Sequence, residues 1–148
     1  MNLGFYVHST SDTPLNKDIY QLLNNAVEEG VVKDASLFYN NIDYNPSDKK
    51  FGTFNSTDLW SFNGTLVVTN LDSLPMASNV VNKIKLIYLY TQSQFQKGNI
   101  AHLMELLNIS DKISIIAKNE DDKKEFYRLT KRSISALDQF SAEEILKV

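Results

Sequence analysis

The reading of the fold turns on Gly64-Thr65-Leu66-Val67-Val68-Thr69-Asn70, then Leu71-Asp72-Ser73-Leu74-Pro75-Met76-Ala77-Ser78-Asn79-Val80-Val81-Asn82-Lys83, then Ile84-Lys85-Leu86-Ile87-Tyr88-Leu89-Tyr90-Thr91-Gln92. Thr65 to Thr69 and Leu86 to Tyr90 are short, nearly continuous runs of β-branched, aliphatic and aromatic residues. Such runs suit strands covered on both faces rather than strands with one wet side. Between them Asp72 or Ser73 offers a helix cap, Pro75 suits a first helical turn, and Met76, Val80 and Ile84 recur at i, i+4, i+8. The spacing predicts a β-α-β unit, which closes as a parallel pair with a right-handed crossover.

Toward the amino terminus the same alternation continues. Leu3 to His8 reads as a strand, and a turn-rich loop leads to a helix from about Leu15 to Glu29. Its inward stripe is Leu15, Ile19, Leu22, Leu23, Ala26 and Val27, and Gly30 stops it. Ala35 to Tyr39 is a second strand. Ile42 to Gly52 reads as a long surface loop, and Ser56 or Thr57 starts a helical turn carrying Leu59, Trp60 and Phe62. Toward the carboxyl terminus come a helix from Ile100 to Leu107, a strand from Ile113 to Ala117, and a helix from Glu120 to about Thr130. A short strand from Ser133 to Leu137 follows, and Ser141 with Glu144 forms a capping box for a last helix to Leu146. The alternation predicts an α/β protein: one doubly wound, mainly parallel, Rossmann-like sheet of about six strands, with helices on both faces. It occupies residues 1–148 as a single domain.

Composition narrows the functional classes. Apolar residues make up 43% of the 148 and charged residues 22%, and no apolar run approaches the ~18 residues of a membrane span. With no basic stretch leading into an apolar one at the amino terminus, a cytoplasmic protein is expected. Absence of cysteine excludes disulfides, thiolate nucleophiles and Cys-based metal sites. A net charge of −3 makes a dedicated nucleic-acid binder an unfavoured reading. No ligand spacing for a metal appears, and no cofactor is expected.

Doubly wound sheets bind ligands beyond the carboxyl ends of their strands. With the first strand interior, His8-Ser9-Thr10-Ser11-Asp12-Thr13 and the stretch from Thr91 to Gln94 are expected to converge there. Ser9, Thr10, Ser11, Thr13, Thr91, Gln92 and Ser93 are the candidate ligand-binding residues, with His8 and Asp12 as candidate catalytic groups. The first loop partly resembles the flavodoxin phosphate loop through Thr10 and Thr13, but Ser11 stands where that loop has glycine. Its simpler reading is helix capping. His102, within the predicted helix, reads as surface or packing. Lys123, Lys124, Arg128, Lys131 and Arg132 read as a solvated cationic helix end, and Phe51, Phe54, Trp60 and Phe62 as a cluster that packs under a loop or forms an exposed partner-binding patch.

Three segments carry a family resemblance: Thr65-Leu66-Val67-Val68-Thr69-Asn70, Lys85-Leu86-Ile87-Tyr88-Leu89-Tyr90-Thr91, and Lys112-Ile113-Ser114-Ile115-Ile116-Ala117 running into an acidic helix start. The pattern resembles the N-terminal half of GT-B glycosyltransferases, including the DNA glucosyltransferases of T4-type phages. The resemblance implies a Rossmann-like half that supplies acceptor contacts and often a catalytic carboxylate or histidine. In that family the second domain mainly holds the sugar nucleotide, and no second domain is expected within these 148 residues. The leading expectation is therefore a stand-alone, glycosyltransferase-like, possibly phage-encoded protein that no longer catalyses and works by binding a protein partner or a second copy of itself. The alternatives are a reduced transferase acting on a nucleotide-linked sugar, with His8, Asp12 and Thr91 taking part, and a flavin- or nucleotide-binding module.

Overall fold

The computed structural model describes residues 2–80, 82–91, 101, 105 and 113–148. Gln92, Ser93 and His102 lie outside the described residues, as does nearly all of the predicted helix from Ile100 to Leu107. Among the described residues seven strands form one sheet: β1 Asn2–Ser9, β2 Asp34–Asn41, β3 Gly52–Asn55, β4 Gly64–Val68, β5 Ile84–Tyr90, β6 Ile113–Ala117 and β7 Ser135–Ala136. Their order is β3-β2-β1-β4-β5-β6-β7, and every pairing is parallel. The first strand is interior, as expected. The chain runs outward from β1 to β3, then returns to β4 and runs outward the other way, so the strand order reverses between β1 and β4.

Helices cover both faces. α1 (Pro14–Glu28) and α4 (Ala142–Leu146) close one face, where Ile19, Leu23, Ala26, Ala142 and Ile145 meet Leu3, Phe5, Val7, Leu37, Val67, Ile87 and Leu89. The other face is closed by a 3-10 turn at Ser56–Ser61, the short helix α2 (Leu74–Ser78) and α3 (Glu120–Thr130). There Leu59, Leu74, Ala77 and Phe126 meet Tyr6, Phe38, Leu66, Val68, Leu86, Tyr88 and Tyr90. Side chains alternate between faces along a strand, so β1, β4 and β5 must be apolar at nearly every position to satisfy two cores. Their continuous runs have that cause.

The expectations differ from the structure at the margins. Seven strands replace six because Gly52–Asn55, assigned to the loop at its start, forms the edge strand β3. The predicted helical stripe of Met76, Val80 and Ile84 is cut short: α2 ends at Ser78, and Ile84 opens β5. Neither Asp72 nor Ser73 caps that segment with its side chain. Asn70 caps instead the single 3-10 turn Leu71–Ser73 that leads into α2, its Oδ1 accepting from the Asp72 amide at 2.8 Å. The last strand shrinks from Ser133–Leu137 to two residues. Among the described residues, no helix is long and apolar enough to cross a membrane.

Candidate functional site

The loop after β1 is where the fold should place a ligand, and its hydrogen bonds show how it is built. Thr13 is the N-cap of α1, its Oγ1 accepting from the Asn16 amide at 3.1 Å. Asn16 is itself buried and turns its amide inward, donating to the carbonyls of Ser9 at 2.9 Å and Ser11 at 2.7 Å. Thr10 is buried as well. Its hydroxyl donates to the Asp43 carbonyl at 2.7 Å and accepts from the Asp43 amide at 2.6 Å, while Asn45 donates to the Thr10 carbonyl at 3.0 Å. The loop between β2 and β3 thus lies against the first loop and consumes its polar atoms. Ser9 Oγ accepts from the Ser11 amide, another contact within the loop. Helix capping accounts for Thr13. Replacing it with Ala should remove ~1 kcal/mol of stability and lower the melting temperature by about 2–4 °C, followed by circular dichroism. An unchanged melt would refute the capping role.

His8 behaves differently, being exposed at the carboxyl end of β1 with Nε2 at 3.3 Å from Asn41 Nδ2. Below it on the same face, Tyr6 Oη donates to Asn40 Oδ1 at 2.6 Å, and Asn40 Nδ2 donates to Ser73 Oγ at 3.3 Å. These bonds tie together the carboxyl ends of β1 and β2 and the turn after β4. Asp12 is exposed on the loop, with no contact to His8 that would make the two an acid–base pair. Because β4 lies between β1 and β5, the reversal of strand order is flanked by Ser9 to Thr13 and by Thr69 to Ser73, whereas Thr91 stands one strand farther away. The expected convergence of Thr91 with the first loop is therefore indirect. Thr91 is buried, and its hydroxyl has no hydrogen-bond partner among the described residues.

Two further polar contacts close the carboxyl end of the sheet. Lys118, just past β6, donates to Asp18 of α1 at 2.5 Å and lies 5.1 Å from the centroid of the Phe140 ring. Tyr90 Oη donates to Glu125 of α3 at 2.5 Å. Burial, then that hydrogen bond, then the charges of Glu125 and Asp122 push the Tyr90 phenol far above its ordinary range. Burial and the Asp72 carboxylate raise Tyr88 as well. Both phenols stay protonated at any physiological pH, so neither is a base, and Tyr90 acts as a donor. Among the described residues, no group of three or more His, Asp or Glu is placed to hold a metal ion.

The four aromatics expected to cluster part company. Phe51 packs edge-on against Tyr20 of α1, on one face of the sheet. Phe62 is buried on the other face, its ring 5.4 Å from Phe38. Phe54 and Trp60 stay in solvent at 42% and 51% of their surface. Beside β3, a groove of about 380 Å³ is lined by Ser36, Phe38, Phe54, Asp58, Ser61 and Phe62. Composition had raised the question of an exposed patch, but only three-dimensional packing decides which rings form it.

Compared with known proteins, the chain matches no family model, and no curated protein or solved structure gives a significant match.

Proposed function

We propose that the protein is a binding module on a Rossmann-like, glycosyltransferase-like sheet, and that it holds a protein partner and performs no catalysis of its own. The observation that carries this reading is the groove beside β3, where Phe54 remains half in solvent on the last strand of the sheet and the 3-10 turn that follows leaves Trp60 exposed as well. Exposed aromatic side chains around a concave surface are the usual anchors of protein recognition. The loop after β1 supports the same reading from the other side. Its threonines, its carbonyls and the first-turn asparagine are engaged with one another and with Asp43 and Asn45, which leaves few donors for a phosphate.

A second reading, a reduced transferase acting on a nucleotide-linked sugar, draws support from His8, exposed beside the point where the strand order reverses. Titration with UDP-glucose, followed by amide NMR shifts, separates the two. The binding-module reading expects no saturable shifts at His8 to Thr13 or at Thr69 to Ser73. Micromolar binding centred on those residues would overturn it and favour the transferase reading.

A further inference from the structure

We propose that the groove beside β3 receives an extended peptide that pairs with β3 as an added strand and places one arginine over Phe54 toward Asp58. This inference rests on the binding-module reading and names the chemistry of the partner. Among the described residues β3 is the last strand on its side of the sheet, and no strand pairs with its outer edge, the geometry to which a further strand can add. Strands pair about 4.8 Å apart, and alternate side chains of an added strand fall on the face that carries the groove. That groove combines three aromatic rings, Phe38, Phe54 and Phe62, with the carboxylate of Asp58 and the hydroxyls of Ser36 and Ser61. Aromatic faces beside one carboxylate suit a guanidinium, which stacks flat on a ring and pairs with a carboxylate through its fork.

Gly52 sets the platform. A Cβ there would lie 2.7 and 2.8 Å from atoms of the Phe54 ring, so only glycine lets that ring lie back along β3. The ring is also 5.8 Å from Phe38, which holds its inner side and leaves the outer side free. On the opposite, α1 face of the sheet, at the amino end of β3, the cations are the protein's own. Lys49 lies 5.7 Å from the Tyr20 ring centroid, and Lys50 is paired with Glu28. Residues of the added strand that point to that face meet Lys49 and gain nothing from a positive charge, so the fit is to one basic residue on the groove face within an otherwise apolar or β-branched strand.

The probe is acetyl-Thr-Val-Arg-Val-Thr-amide, compared with the same peptide carrying norleucine in place of arginine, each titrated into the full chain while amide shifts are followed. The arginine peptide should shift Gly52 to Asn55 and Asp58, and the norleucine peptide should bind roughly tenfold more weakly. Asp58→Asn, a change at an exposed side chain that leaves the fold intact, should bring the two peptides to within about twofold of each other. Equal affinities for wild type, shifts away from β3, or no binding by either peptide would overturn the proposal. Shifts at Gly52 to Asn55 that grow with protein concentration and no peptide would also overturn it, by assigning the edge to a second copy of the chain. Equal binding of both peptides at β3 leaves the binding-module reading standing while the arginine preference falls. Failure of that broader reading has a separate signature, the UDP-glucose shifts at the opposite loops.

Discussion

Val67→Asp should yield no soluble folded protein. Val67 lies in β4, with no exposed surface, and pairs in register with Phe5 of β1 and Ile87 of β5. Its side chain points to the α1 face, among Leu3, Leu23 and Leu89. Among the described residues, an aspartate there would be surrounded by apolar side chains. Burying an unpaired carboxylate, or protonating it to avoid the charge, costs several kcal/mol, against a total stability of about 5–15 kcal/mol for a domain of this size. Val67→Ala at the same atom position removes two methyl groups and should cost only ~1–3 kcal/mol, leaving a folded protein with a lower melt. The comparison is made by soluble yield and by thermal denaturation of whatever is recovered. An aspartate variant that melts within a few degrees of wild type would mean that β4 is not central.

That test addresses what was most legible in the sequence. β1, β4 and β5 announce themselves because a strand covered twice must be apolar at successive positions, as Leu66-Val67-Val68 and Leu86-Ile87-Tyr88-Leu89-Tyr90 are. α3 is as clear, since Glu120, Asp121 and Asp122 suit the positive end of a helix, and Asn119 caps it with a bond to the Asp122 amide at 2.9 Å. β3 was hidden for the opposite reason. An edge strand of four residues that are all exposed or half-buried has no hydrophobic pattern to read, and its Gly52 and Asn55 look like turn residues.

The aromatic cluster shows a different limit. The sequence places Leu59, Trp60 and Phe62 on one helical turn without deciding which are buried; the segment is a 3-10 helix with three residues per turn, so Ser56, Leu59 and Phe62 share its buried side. Trp60, one step off that spacing, is left in solvent. In the site loop, His8, Thr10 and Thr13 could be named from the sequence, but not the partners that occupy Thr10. Asp43 and Asn45 are more than thirty residues away, and only the crossover from β2 to β3 brings them alongside. The cap at Asn70 was missed because a residue at the end of an apolar run reads as the end of a strand, while its side chain serves the turn that follows.

Gly64→Ala should destabilise the fold by roughly 2–4 kcal/mol, whereas Gly30→Ala should cost only about 1 kcal/mol. Both glycines have positive φ, +134° at Gly64 and +70° at Gly30, so both substitutions force a side chain into a backbone region that it disfavours. What differs is the space. A Cβ at Gly30 meets nothing within 4 Å, because the residue stands just past the end of α1 in solvent. At Gly64 it would lie 2.4 Å from the Asn2 carbonyl oxygen and 2.9 Å from Asn2 Cβ. These are atoms of the neighbouring strand, and most of them cannot rotate away. Gly64 opens β4, its residue pairs with Ile84 and its amide donates to the Lys83 carbonyl at 3.2 Å, so retreat from β1 would push β4 against β5. Relief would require the register of Leu3 with Thr65 and Gly4 with Leu66 to loosen at the seam where the strand order reverses. For a chain of this length the expected falls in melting temperature are about 5–15 °C for Gly64→Ala and about 2–4 °C for Gly30→Ala. Hydrogen exchange should also quicken at Leu3 to Tyr6 in the Gly64 variant alone. Equal melts for the two variants would show that backbone conformation, and not the approach of β1 to β4, sets the cost at this seam.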